Sequence, residues 1–178
     1  MGERRTNSSS LRSTSARRTS ICIFTDGIRS ADAIVFGRTT YELMADYWPT
    51  EAARKNDPMI ADLMNRLPKI VFSATLRTVD WQPSMLAQGD LAEEIGRLKA
   101  RYARDLVVLG SGILVAALSA RDLVDEYQLV VNPVVLGRGR PFQQQLNANT
   151  KLELASSKAF RSGNARLCYR PCRNEITS

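Results

Sequence analysis

The chain has 178 residues, 44% of them apolar and 24% charged, with a net charge of +7 and no histidine. Such values fit one globular domain with a real core, and no apolar stretch reaches the roughly 18 residues that a membrane span requires. Histidine triads, histidine general bases and imidazole zinc sites are excluded, and the three scattered cysteines, Cys22, Cys168 and Cys172, make neither a disulfide framework nor a metal site.

In chain order, residues 1–20 are rich in Ser, Thr and Arg, with five arginines against one glutamate, and so hold +4 of the net charge. They read as a disordered basic tail. The near-neutral remainder argues against a nucleic-acid partner. Residues 21–173 read as one domain and 174–178 as a short terminal tail. Reduced thiols suit the cytoplasm, and the four apolar residues Ile21-Cys22-Ile23-Phe24 are too few for the apolar region of an export signal.

Ala33 to Phe36 reads as a short buried strand. Thr39 or Thr40 is placed to cap a helix running through Ala45 and stopping before Trp48-Pro49. Asp57-Pro58 starts a helix carrying Met59, Ile60, Leu63, Met64 and Leu67 at helical spacing. Lys69 to Ser73 is a second buried strand. Gly89-Asp90 opens a helix with Leu91, Ile95, Leu98 and Tyr102 on one stripe. Asp105 to Leu109 is a strand and Ile113 to Ser119 a helix. Glu126 to Leu136 is a long β-rich run, turned at residues 137–141. Lys151 to Lys158 and Ala165 to Arg170 form a hairpin joined through Ser162-Gly163-Asn164. Strands alternating with helices predict an α/β fold with a mostly parallel central sheet, and the hairpin adds antiparallel strands at the C-terminal end.

Leu106-Val107-Val108-Leu109-Gly110-Ser111-Gly112 is a buried strand that stops at glycines and turns into a helix. Such a turn presents unpaired backbone N–H groups and the positive end of the helix dipole, which suits a phosphate. Val35-Phe36-Gly37-Arg38-Thr39-Thr40 repeats that grammar with an arginine at the turn. Parallel sheets bind ligands at the carboxyl ends of their strands. Three strand ends, Gly37 to Thr40, Ser73 to Thr75 and Gly110 to Gly112, are therefore candidate walls of one site. Taken singly each reads as an ordinary helix cap or tight turn; in this order they suit a ligand with two separated phosphate groups.

From about Ala31 to Pro171 the sequence resembles the dihydrofolate-reductase-like superfamily, in the branch holding the reductase domain of bifunctional riboflavin-biosynthesis proteins. The resemblance rests on the stretch from Ala31 through Gly37 to Glu42, on Tyr47-Trp48-Pro49 and on Lys69-Ile70-Val71-Phe72-Ser73. It continues in Leu109-Gly110-Ser111-Gly112, Leu123-Val124-Asp125-Glu126-Tyr127 and Asn132-Pro133-Val134-Val135-Leu136-Gly137. It implies a three-layer fold, a homodimer, and an NADPH-dependent reductase of a pyrimidine- or pterin-like small molecule, nearest to 5-amino-6-(5-phosphoribosylamino)uracil reductase. It implies that Gly37, Arg38, Thr39 and Thr40 meet the cofactor phosphates. Ser73 and Thr75 then lie near the adenosine 2′-phosphate, and Gly110, Ser111, Gly112 and Ile113 carry the pyrophosphate. A cis peptide between Gly110 and Ser111 is implied as well. Independently, the guanidinium fork of Arg38 matches a 2′-phosphate.

Three departures bear on function. Members of this superfamily begin with a buried strand ending in a Ser-x-Asp-Gly-like turn, which the resemblance places at Ile21 to Phe24 and Thr25-Asp26-Gly27, with Phe24 where Ser is expected. They carry a long substrate-side segment before the Ala-Asp-Ala strand, whereas only Ile28, Arg29 and Ser30 separate Gly27 from Ala31 here. Asp26 is the one candidate for a substrate-orienting carboxylate, and no other catalytic residue is identified. Ser111 stands where a second glycine is usual and crowds the turn. The alternative function is therefore a nucleotide-binding relative without turnover, acting as a binding or assembly module.

Overall fold

The computed structural model describes residues 19–21, 25–138 and 151–172. Its elements are β1 (Thr19–Ile21), α1 (Thr25–Ser30), β2 (Ala31–Gly37), α2 (Arg38–Tyr47), α3 (Glu51–Asn56), α4 (Pro58–Arg66), β3 (Lys69–Phe72) and β4 (Ser84–Leu86). They continue with α5 (Leu91–Arg101), β5 (Asp105–Val108), α6 (Gly112–Ser119), β6 (Glu126–Val131), β7 (Leu152–Ala159) and β8 (Ala165–Pro171). The strands form one sheet in the order β4-β3-β2-β5-β1-β6-β8-β7. From β4 to β6 every pairing is parallel; β8 and β7 then add on antiparallel. The α/β fold with antiparallel C-terminal strands is thus observed.

Strands β2, β3 and β5 are almost wholly apolar because helices cover both faces of the sheet. Ile34, Phe36, Val71 and Val107 pack on one side with Tyr41, Met64, Leu67 and Trp81. Ala33, Val35, Ile70, Leu106 and Val108 pack on the other with Ile95, Leu98, Leu114 and Leu118. The two-residue side-chain period of a strand produces this division, and three layers result. Trimming a fully buried side chain such as Phe36 to alanine would remove about 3–5 kcal/mol.

Two polar anchors tie the layers together. Lys69 has no exposed surface. Its ammonium donates to the carbonyls of Met64 (3.0 Å), Asn65 (3.2 Å) and Leu67 (3.0 Å), closing the C-terminal end of α4, where a cation also complements the helix dipole. The same nitrogen lies 4.4 Å from the Trp81 ring centroid. Burial pulls its pKa down to about 8. At the N-terminal end of β2, Asp32 accepts from the backbone N–H groups of Ala103 and Arg104 and, at 2.7 Å, from Arg104 Nε, so it fixes the entry to β5.

Several expected boundaries move. The first strand is Thr19–Ile21 rather than Ile21 to Phe24, so it starts inside the expected tail; residues 22–24 lie outside the described set, and Thr25, Asp26 and Gly27 open α1 instead of forming a turn. Neither Thr39 nor Thr40 caps α2, because the helix starts one turn earlier than the apolar pattern and its N-cap is Gly37. The run from Glu126 stops as a strand at Val131, for β8 begins with Ala165 opposite Val131 and offers no partner beyond it. Pro133 follows and cannot donate to a ladder. Val135 is 97% exposed in consequence. The turn expected over residues 137–141 is described only through Arg138. The hairpin forms as expected, with Gly163 at φ 86° and Phe160 N–H donating to Asn164 O at 2.9 Å. The short α3 and β4 gave no periodic signal; α3 is secured by Thr50, whose hydroxyl accepts from Ala53 N–H at 3.2 Å.

Candidate functional site

β2 and β5 are neighbours, yet their following helices go to opposite faces: α2 packs in the layer of Phe36 and Tyr41, and α6 in the layer of Leu114 and Leu118. A crevice opens at such a divergence, outside the carboxyl ends of the strands. Gly37 ends β2 there, and Gly110 follows β5. The N–H of Gly37 donates to Gly110 O at 3.0 Å, so the two turns are held side by side.

Glycine is required at both. Gly110 has φ 101°, a region closed to most side chains, and it is joined to Ser111 by a cis peptide, as the resemblance implied. Gly37 has an extended backbone, φ −82° and ψ 160°, and is needed for space. A Cβ added there would lie 2.6 Å from Ser111 Oγ. Ser111, the residue that crowds the turn, therefore uses the room that Gly37 leaves.

The two helices starting at this crevice are built differently from α3 and α5. Thr50 and Asp90 cap those two with side-chain oxygens, and Glu51, Glu93 and Glu94 occupy their first turns. As in α4, whose first residue is Pro58, α2 and α6 have no side-chain cap and no acidic residue in the first turn. Their leading N–H groups are left for an external acceptor, and Arg38 stands at the start of α2, where a cation opposes the helix dipole. That arrangement suits an anion.

Ser73, just past β3, accepts from the N–H groups of Thr75 (3.1 Å) and Leu76 (2.9 Å), which folds the loop and sets the Thr75 hydroxyl 3.4 Å from its own. A cavity of about 430 Å³ lies between these parts, lined by Gly37, Arg38, Thr39, Ser73, Thr75, Ser111 and Ile113 from the expected set. Thr40, Gly110 and Gly112 are not in its lining. Thr40 Oγ1 stands 3.4 Å from where a Gly110 Cβ would be, and Gly112 is the first residue of α6. Sequence reasoning missed the apolar side of the cavity: Phe72, Leu91, Leu114 and Ala117 line it too. These residues had signalled only a core, through the stripe of α5 and the apolar run of α6. Among the described residues the lining is thus one cation, several hydroxyls and backbone N–H groups, and an apolar wall, with no carboxylate. Asp26 belongs to α1, and its side chain lies outside the described set. The residues present fit a dinucleotide with an extra phosphate: helix starts for its phosphates, Arg38 with Ser73 and Thr75 for the additional anion, and the apolar wall for a ring.

A second cavity, of about 740 Å³, lies on the other side of α2, among Tyr41, Glu42, Asp46, Arg54, Asp80 and Trp81. Trp81 and Tyr41 are core side chains that line it, and the backbone N–H of Trp81 donates to the Tyr41 hydroxyl at 3.0 Å.

Among the described residues no group of histidine, cysteine or acidic side chains can hold a metal ion, and no helix is long and apolar enough to cross a membrane. The family model of the RibD C-terminal domain matches residues 5–165, a span that begins within the expected tail. The protein YyaP of Bacillus subtilis (strain 168) is 29% identical over 146 residues, covering 82% of this chain and 77% of that protein. Among solved structures, a putative riboflavin biosynthesis protein from Shewanella sp. PV-4 superposes with a TM-score of 0.64 at 22% identity, over 84% of this chain and 79% of that one. A dihydrofolate reductase from Enterococcus faecalis, complexed with NADP(H), gives 0.52 at 15% identity, over 79% and 74%. At such identities these two likenesses establish the fold.

Proposed function

The chain belongs to the RibD C-terminal domain family, and from that premise we propose that it is an NADPH-dependent reductase of a pyrimidine- or pterin-like small molecule. The observation that carries this reading is the convergence of two uncapped helix starts, Arg38 and the Ser73–Thr75 loop on one cavity. In it the first turns of α2 and α6 bind phosphates, Arg38 reads the ribose 2′-phosphate with Ser73 and Thr75, and Phe72, Leu91, Leu114 and Ala117 take the adenine. The cofactor, when bound, supplies the hydride. A chain without histidine is compatible with such a reaction, because the protein's part is binding and orientation. Free Cys168 and Cys172 agree with a cytoplasmic setting, and the edge strand β7 with a homodimer covering that end of the sheet.

The test is titration with NADPH and NADH, following the fluorescence of Trp48 and Trp81. Saturable binding with NADPH at least about tenfold tighter, roughly 1.4 kcal/mol, is expected; equal affinity or no binding would overturn it. A second reading, dinucleotide binding without turnover, is favoured by one observation. Only residues 22–30 lie between β1 and β2, and Leu43 on α2 is 67% exposed, so among the described residues little of the chain stands to close over a substrate. Tight NADPH binding with no oxidation of NADPH by riboflavin-pathway pyrimidines or dihydrofolate would select it.

A further inference from the structure

α2 is a wall shared by two cavities. Arg38 lines the smaller one, and Glu42, one turn further along, lines the larger. The two side chains meet across the helix surface: Arg38 Nη1 lies 3.4 Å from both carboxylate oxygens of Glu42, with each side chain about half exposed. This pairing offsets the unfavourable position of a cation at a helix start. Among the described residues Glu42 is the one acceptor for the Arg38 guanidinium. An anion in the smaller cavity that takes Arg38 Nη1 competes for it with this carboxylate.

Building on the reading of Arg38 as the ligand of a ribose 2′-phosphate, we propose that Glu42 is a positioning residue that tempers the NADPH preference of the site by competing for Arg38. It holds Arg38 until a doubly charged phosphate outcompetes a singly charged carboxylate. A ribose 2′-hydroxyl leaves the pair intact, so the exchange is charged to NADPH and not to NADH. Glu42 therefore tempers the discrimination that Arg38 provides and withholds the arginine from weaker anions.

The test is Glu42→Gln in the full chain, with NADPH and NADH affinities measured by calorimetry at low salt. An exposed pair one turn apart is weak, so NADPH should bind about two- to threefold tighter and NADH unchanged. The gain should fade at about 0.5 M salt, where exposed charges are screened. In an Arg38→Ala background the same substitution should be silent, since Glu42 acts through Arg38. An equal gain for both dinucleotides, a gain that survives without Arg38, or no change at all would overturn the proposal and leave the cofactor reading standing. Absence of saturable NADPH binding by the unaltered chain would overturn both.

Discussion

Gly37→Ala should perturb the site through a single contact. The backbone at Gly37 is extended and accepts alanine, and losing glycine as an N-cap costs about 0.5–1 kcal/mol. The new Cβ would sit 2.6 Å from Ser111 Oγ, 3.3 Å from Ser111 N and 3.4 Å from Ser111 Cβ. The last two distances are tight but tolerable, so the hydroxyl has to move. Forcing a side chain from its preferred rotamer costs about 0.5–1.5 kcal/mol, and total destabilisation should be about 1–2 kcal/mol. The displaced hydroxyl would crowd the start of α6, and dinucleotide affinity should fall about tenfold. Ser111→Gly removes the obstacle, so the double variant Gly37→Ala/Ser111→Gly should recover about 1 kcal/mol relative to additivity. Urea denaturation and NADPH titration of the four proteins give both cycles. Additivity within about 0.3 kcal/mol would refute the argument that Gly37 is glycine to make room for Ser111.

Arg38→Ala should weaken NADPH by about 1.5–3 kcal/mol and leave NADH nearly unchanged, by calorimetry; equal weakening of both would deny Arg38 the 2′-phosphate. Lys69, at about 8 when folded against 10.5, binds fewer protons than in the unfolded chain between those values. Its burial penalty is therefore full below pH 8 and relieved as pH rises to 10.5, and stability should increase across that window by up to about 3 kcal/mol relative to Lys69→Met, read by denaturant unfolding. For Asp32, desolvation raises the pKa, but the Arg104 hydrogen bonds and charge outweigh it and the net shift is downward. Its contribution is present above the unfolded value near 3.8 and lost as pH falls below it, so Asp32→Asn should cost about 1–2 kcal/mol at pH 7 and less in acid. Light scattering at tens of micromolar should give a dimer mass; a monomer would remove the proposed homodimer.

The strand–glycine–helix turns were legible because an apolar run such as Ala33 to Phe36 has one solution when both faces are covered, and the glycine that ends it marks where backbone must approach backbone. The caps were not: Thr39 and Thr40 are good cap residues, but the helix start follows from where Gly37 meets Gly110, a contact between distant segments. Val134, Val135 and Leu136 read as strand because local preference cannot tell whether a partner strand extends far enough. Lys69 was read within a buried strand, but not as the closure of α4, since the carbonyls it binds belong to that helix and only folding brings them to it. The polar half of the cavity could be read from glycines, hydroxyls and one arginine, whereas Phe72, Leu91, Leu114 and Ala117 were indistinguishable from core. Glu42 entered only as the last residue of the Ala31 to Glu42 stretch.

The position of β1 has a consequence for how the chain assembles during synthesis. Ser20 pairs with Val107 on one side and with Glu126 on the other. β2, β3 and β4 find partners among one another soon after they emerge, but the first strand must wait until residue 126 has been made before both its edges are satisfied. Non-local pairing of this kind is slow and leaves strand edges open in the interval. A chain interrupted before β6 would hold β1 by one edge and present the other to neighbouring molecules, the arrangement from which edge-to-edge aggregation begins.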